Sequence, residues 1–126
     1  MYVKENFDTP ELSKANGIIY SNVSEFLIAL GIRPHLDGFK YLNYLLQSDI
    51  SDKGGVTTYL YPAIAEVFNT TPSRVERAIR HAIETAIVNA TLLQLYTKLF
   101  GNFKKSPTNS QFIRGCNIYL NNNPVL

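Results

Sequence analysis

Apolar residues recur along this 126-residue chain at the spacing of amphipathic α-helices. Asn22 can cap the first helix, because Glu25 follows it by three positions, and Gly31 is expected to end that helix. The apolar positions between them fall at i, i+3, i+4 and i+7: Val23, Phe26, Leu27 and Leu30. The pattern therefore predicts a short helix with one buried face.

The same spacing predicts five further helices. Pro62 lies inside one of them, so that helix either begins there or is kinked. Thr71 and Thr108 are suitable caps for two others, and Gly101 is a suitable stop. The five helices are predicted from Asp37 onwards, over 57–68, over 71–89, over 91–100 and from 108 onwards.

The fold class that follows is all-α, with about six helices around a helix-turn-helix unit. No sheet is expected, because the alternation typical of strands is weak throughout. The chain length fits one compact domain, and 45% hydrophobic residues suffice for its core. We assign residues 1–20 to an N-terminal arm and residues 21–126 to the helical domain.

Residue counts exclude several kinds of site. With Cys116 as the single cysteine, neither an internal disulfide nor a cysteine zinc cluster can form, and two histidines are too few for a histidine metal site. No run approaches the roughly 18 apolar residues of a membrane span, and the N-terminus lacks the form of a secretory signal. We therefore expect a cytoplasmic, nucleoid-associated protein without metal, cofactor or membrane contact.

Charge is distributed unevenly along the chain. Residues 1–70 hold five Lys/Arg against eight Asp/Glu, a net charge of −3, whereas residues 71–126 hold seven against two, a net charge of +5. A basic half favours a polyanionic partner, and nucleic acid is the commonest such partner. The alternative is that basic residues merely supply solubility in this half.

A helix-turn-helix pattern lies between residues 61 and 80. Such a unit needs a small residue where its second helix crosses the first, a residue tolerant of positive φ four places later, and an apolar residue six further on. Ala65, Asn69 and Val75 meet these needs in turn, with asparagine in the place of the usual glycine. The second helix, about 72–89, is then the recognition helix.

One face of that second helix is polar. At about 100° per residue, four polar side chains fall within an arc of about 100°: Ser73, Glu76, Arg77 and Arg80. Apolar residues occupy the opposite side: Val75, Ala78, Ile79, Ala82, Ile83 and Ala86. In the simplest alternative the polar face is only solvated, and Glu76 and Arg80 form an ion pair one turn apart.

The polar residues of this helix are of the types that read DNA. Arg77 can donate two hydrogen bonds to guanine O6 and N7, and Glu76 can accept one from cytosine N4, so both are assigned to base reading. Ser73, Arg74 and Arg80 are better placed to contact phosphates, which position a protein without reading sequence.

A second phosphate-binding set is predicted at the start of the last helix. Lys104 and Lys105 precede that helix, and Thr108 and Asn109 form its start, where free backbone N–H groups bind anions. An ordinary charged loop is the alternative.

The chain carries no pattern typical of catalysis, such as paired carboxylates, a nucleophile motif or a phosphate-cradling glycine loop. His81 falls on the shoulder of the polar face, and we interpret it as a flanking residue. Cys116 falls among apolar residues, and we interpret it as a packing residue. An enzymatic function is not expected.

Several segments resemble one known family. The similarity spans roughly 20–113 and includes an uninterrupted block over 73–84, SRVERAIRHAIE. The segments LYP at 60–62, FNTT at 68–71 and PTNS at 107–110 extend it. Together they resemble the C-terminal effector domain of the stage-zero sporulation protein A family, which are response regulators of endospore-forming bacteria.

This resemblance implies an all-helical transcription-regulating domain that binds a short box in double-stranded DNA through Glu76 and Arg77. It also implies that copies associate on DNA, as a homodimer or a head-to-tail tandem, and that the segment after the recognition helix contacts RNA polymerase. Residues 87–98 diverge from the family pattern. Residues 1–20 are too short for the family's receiver domain, so we expect that domain to be absent.

The sequence therefore predicts sequence-specific binding of double-stranded DNA by a transcription regulator of the sporulation type. The alternative is a protein-interaction module that keeps the fold but pairs with another regulator or with RNA polymerase. Its binding surface would be the acidic half and the apolar arm.

Overall fold

The computed structural model describes residues 22–47, 59–89, 97, 101 and 107–122. Within these residues the chain forms five α-helices and no strand, which confirms the all-α prediction. The helices are α1 (Val23–Ala29), α2 (Asp37–Gln47), α3 (Tyr61–Val67), α4 (Pro72–Asn89) and α5 (Asn109–Asn122). None of these described helices has both the length and the apolar character of a membrane span.

Two predicted segments lie wholly or almost wholly outside the described residues. The first is the arm assigned to residues 1–20. The second is the helix predicted over 91–100, of which only Thr97 is described and is helical. Gly101, predicted to stop that helix, has a positive φ of 83°, and its N–H donates to the Thr97 carbonyl at 2.8 Å.

Local side-chain chemistry sets the starts of α1 and α4. The Asn22 side-chain oxygen accepts a hydrogen bond from the Glu25 backbone N–H at 2.8 Å. The Thr71 hydroxyl accepts one from the Arg74 backbone N–H at 3.2 Å. Each bond satisfies a backbone donor that has no partner within its own helix, so both predicted caps are confirmed.

Pro62 lies in the first turn of helix α3, which begins at Tyr61, and this position favours a helix start over a kink. Because the first N–H groups of a helix have no acceptor within it, a residue without an N–H costs nothing there. Tyr59 and Leu60 lie in a π-helical turn that leads into the helix.

Helix α4 lies at the centre of the fold and packs against α2, α3 and α5. One side of it is almost completely buried: Val75, Ile79, Ala82, Ile83 and Ala86. The other helices contribute the large side chains of the core: Phe26, Leu27, Leu42, Leu45, Ile64 and Phe112. Cys116 is fully buried among them, which confirms it as a packing residue, and burial raises the pKa of its thiol.

Helices α2 and α4 approach each other closely at Gly38. A Cβ atom at this position would lie 2.3 Å from the Ala78 carbonyl oxygen and 2.8 Å from the Ala82 Cβ atom. Both distances are shorter than nonbonded atoms tolerate, so the approach requires glycine. Gly38 therefore allows the backbone of α2 to pack directly against α4 at Ala78 and Ala82.

Candidate nucleic-acid interface

Helices α3 and α4 are joined by the turn that the sequence predicts. Asn69 has a φ of 56°, and among the described residues it is the one non-glycine residue with a positive φ. The Thr70 backbone N–H donates to the Ala65 carbonyl at 2.9 Å, and Ala65 itself is buried. Val75 is fully buried on the other side of the turn. The three positions of the predicted helix-turn-helix pattern are confirmed.

The side of α4 opposite the core faces outward. We call it the α4 polar face and define it by the residues Ser73, Arg74, Glu76, Arg77 and Arg80. Four of them are exposed, and the Glu76 side chain is 27% exposed. The structure thus brings the base-reading and phosphate-binding candidates of α4 together on one accessible surface.

Glu76 and Arg80 form an ion pair on this face, one helical turn apart. Because the Arg80 side chain is 60% exposed, solvent screens the pair, and its contribution to stability is about a few tenths of a kcal/mol. The pair matters more for the charge of this face, because Arg80 partly neutralises the Glu76 carboxylate, which would otherwise repel an anion. In the part of the chain that the structure describes, Arg77 has no ion-pair partner.

A hollow of about 350 Å³ opens beside the polar face, where the start of α3 meets the first two turns of α4. Its lining is Tyr61, Pro72, Ser73, Glu76 and Arg77. The hollow therefore combines hydroxyl groups, a guanidinium group and a carboxylate that is already paired. No group of three His, Cys, Asp or Glu side chains suited to a metal ion occurs within the described ranges.

The Asn109 side chain lies behind this hollow and links three helices. Its amide nitrogen is 2.8 Å from the Tyr61 hydroxyl oxygen and 3.1 Å from the Glu76 carbonyl oxygen. Only 8% of the residue is exposed. The side chain is thus not free for the phosphate contact that the sequence suggested, because it is buried and bonded within the fold.

Thr108 forms the N-cap of α5. The Gln111 backbone N–H donates to the Thr108 hydroxyl oxygen at 3.1 Å, and the Thr108 N–H donates to the Gln111 side-chain oxygen at 2.9 Å. This reciprocal pair is a complete capping box, as the spacing predicts. Thr108 is exposed, so its hydroxyl hydrogen is accessible to an external acceptor. Lys104 and Lys105 lie outside the described residues.

The sequence pattern gives no functional role to Tyr61, and the structure shows one. The side chain is 5% exposed, yet it lines the hollow and accepts a hydrogen bond from Asn109. Burial raises the pKa of its phenol, although the Asn109 hydrogen bond and the positive charge of Arg80 oppose the rise. The two residues are 48 positions apart, so no local pattern connects them.

A family model described as Sporulation initiation factor Spo0A C terminal matches residues 23–120. The chain belongs to this family. The match begins at the first residue of α1 and extends into the last turn of α5, so it includes the whole helix-turn-helix unit. The family consists of DNA-binding domains of sporulation regulators and is not a family of enzymes. The resemblance carried by the block at 73–84 is thereby confirmed.

Proposed function

We propose that this domain binds double-stranded DNA sequence-specifically and regulates transcription, with α4 inserted in the major groove. One observation carries the proposal. The helix-turn-helix unit buries one side of α4 completely and leaves a polar, mostly basic side exposed. A recognition helix needs one buried side to hold it in the fold and one exposed polar side to approach base edges with its N-terminal turns.

Base reading is assigned to Arg77 and Glu76, which both belong to the α4 polar face. The exposed Arg77 guanidinium can donate two parallel hydrogen bonds to one guanine. The Glu76 carboxylate can accept a hydrogen bond from cytosine while Arg80 balances its charge. Both side chains belong to the α4 polar face, so both can approach base edges in one groove.

Phosphate contacts are assigned to Ser73, Arg74 and Arg80 on α4 and to a second set before α5. In that second set, Thr108, Lys104 and Lys105 remain assigned to phosphate contacts. Asn109 can contribute only its backbone N–H, because its side chain is bonded within the fold. The Asn109–Glu76 hydrogen bond brings the start of α5 close to α4, which favours contact of both helix starts with one DNA backbone.

We extend the proposal to the assembly on DNA, for which the family resemblance is the support. Two copies would occupy neighbouring boxes, either as a homodimer or head to tail. The segment after α4 would then face RNA polymerase. Sizing the complex formed on a duplex with one box and on a duplex with two boxes tests this part.

The Arg77→Ala variant tests base reading. Duplexes are first selected from a random pool with the wild-type domain, and affinities are then measured for the selected duplex and for single-base-pair variants. We expect Arg77→Ala to lose about 1–3 kcal/mol on the selected duplex and to stop discriminating at one base pair, because a bidentate contact to guanine is lost.

Arg33→Ala is the matched control for charge. Arg33 is exposed and lies between α1 and α2, two positions after Gly31. Gly31 is close to Ala86, in the second half of α4. Its removal should leave discrimination at every base pair unchanged. Equal losses for Arg77→Ala on selected and random duplexes would contradict base reading. Failure of the wild-type domain to bind any duplex at low salt, together with formation of a stable protein complex, would favour the protein-interaction alternative.

A further inference from the structure

The hydrogen bond between Asn109 and Tyr61 has a definite direction. One nitrogen atom of Asn109 is within reach of both the Tyr61 hydroxyl oxygen and the Glu76 carbonyl oxygen. A backbone carbonyl can only accept, so the atom facing it is the amide nitrogen, which carries two hydrogens. The same nitrogen therefore donates to the Tyr61 oxygen, and the phenolic hydrogen of Tyr61 points elsewhere.

That phenolic hydrogen has no acceptor among the residues that the structure describes. Tyr61 is buried, and it forms part of the wall of the hollow beside Ser73 and Arg77. Buried polar groups in folded proteins nearly always have a hydrogen-bond partner. A donor that is turned away from Asn109 and has no partner among these residues, on a side chain that lines a hollow, is suited to an acceptor that arrives from outside.

The surroundings indicate that this acceptor is anionic. Arg77 lines the hollow, and the positive charge of Arg80 acts on the Tyr61 phenol. Ser73 contributes a hydroxyl group in the first turn of α4, the end of an 18-residue helix at which the helix dipole favours negative charge. The one carboxylate in the lining, that of Glu76, is already paired with Arg80.

We propose that the hollow seats a phosphate group of the DNA backbone, to which Tyr61 donates its hydroxyl hydrogen, and that Asn109 is a positioning residue that fixes the direction of this donor. The proposal rests on the proposed DNA binding. It adds to that function a phosphate contact made by an uncharged side chain, Tyr61 of α3. Asn109 of α5 orients this side chain's hydroxyl group. The recognition helix is thereby held between two points on the DNA, one at the bases and one at the backbone.

Tyr61→Phe tests the contact, because it removes one hydroxyl group and leaves the ring. We expect about a tenfold loss of affinity, the effect of one hydrogen bond to a charged acceptor. The loss should be the same on selected and random duplexes, since a phosphate carries no sequence information. The slope of log affinity against log salt should stay unchanged, because a neutral donor releases no counterion.

Two variants serve as references for this measurement. Tyr44→Phe removes the hydroxyl of a tyrosine on α2 that does not line the hollow, and it should bind like the wild type. Asn109→Ala should weaken binding in the wild-type background but much less in the Tyr61→Phe background. A role of Asn109 in stability alone would give equal losses in both backgrounds.

A scan of the DNA locates the phosphate directly. Single phosphates are replaced by neutral methylphosphonates, and the affinity of each modified duplex is measured. Replacement of one particular phosphate should lower the affinity of the wild-type domain but leave that of Tyr61→Phe almost unchanged. A second measurement requires no variant: on addition of the selected duplex, the Tyr61 hydroxyl proton should become protected from solvent exchange in NMR spectra.

Unchanged affinity of Tyr61→Phe on both duplexes, or no protection of the hydroxyl proton, would overturn the phosphate seat while leaving the proposed DNA binding intact. A loss confined to the selected duplex would also overturn it, because the contact would then read bases. If the wild-type domain binds no duplex at low salt, the proposed function and this inference both fail.

Discussion

Gly38 shows how the absence of a side chain can position a functional helix. The backbone of α2 comes so close to α4 at this point that a Cβ atom would meet the Ala78 carbonyl oxygen at 2.3 Å. Ala78 directly follows Arg77 in the sequence. The position of a base-reading candidate is thus coupled to a contact on the opposite, buried side of its helix.

Gly38→Ala is expected to lower the free energy of unfolding by about 1–3 kcal/mol, because the added methyl group overpacks a backbone contact. Denaturation by urea, followed by circular dichroism, measures the change. Adding Ala82→Gly should not restore stability, since the closer contact is with the Ala78 carbonyl. Glu66→Ala, on the exposed side of α3, is the control and should stay within about 0.5 kcal/mol of the wild type. A Gly38→Ala domain as stable as the wild type would contradict this account.

The roles of individual residues could be predicted from the sequence only where neighbours along the chain determine them. The outward position of Arg77 follows from the helical period, and the structure bears it out. The sequence predicts a phosphate contact for Asn109 because it begins a helix near two lysines. Its burial depends on Tyr61 and Glu76, which lie 48 and 33 positions away. Contacts of this kind arise from packing, and no spacing rule reports them.

At the scale of elements, the turn between α3 and α4 is the part of the fold most directly specified by the sequence. Asn69 adopts the left-handed backbone conformation, and the Thr70 N–H bonds to the Ala65 carbonyl immediately after it. Helix starts are local in the same way, as the capping box of Thr108 and Gln111 illustrates. The crossing of α2 over α4 is not local, so its tight contact at Gly38 was found only in the structure.

Substitutions at Asn69 test the energetics of the turn. Asn69→Ala should lower the free energy of unfolding by about 1 kcal/mol, because alanine tolerates the left-handed region less well than asparagine does. Asn69→Gly should change it by less than about 0.5 kcal/mol, since glycine enters that region freely but gains entropy when unfolded. Thermal unfolding measures both, with Asn121→Ala near the end of α5 as a control. The opposite ranking, with alanine better than glycine, would count against a turn that depends on positive φ.

At the scale of the whole molecule, basic residues are concentrated in the C-terminal half of the chain. Residues 71–126, with a net charge of +5, include both α4 and α5, whereas residues 1–70 carry a net charge of −3. The structure ties α5 to α4 through Asn109, so the starts of two helices from the basic half are neighbours. A polyanion that approaches these two helix starts would contact the α4 polar face and the hollow together.

DNA binding through α4 is tested most directly by an NMR titration of the isotope-labelled wild-type domain with its selected duplex. The largest chemical-shift changes are expected at Ser73, Arg77 and Arg80 and at the start of α5. Exposed apolar residues remote from the polar face, such as Ile28 on α1, should remain unchanged. Changes concentrated on α1 and α2, with the α4 polar face unaffected, would contradict DNA binding through α4.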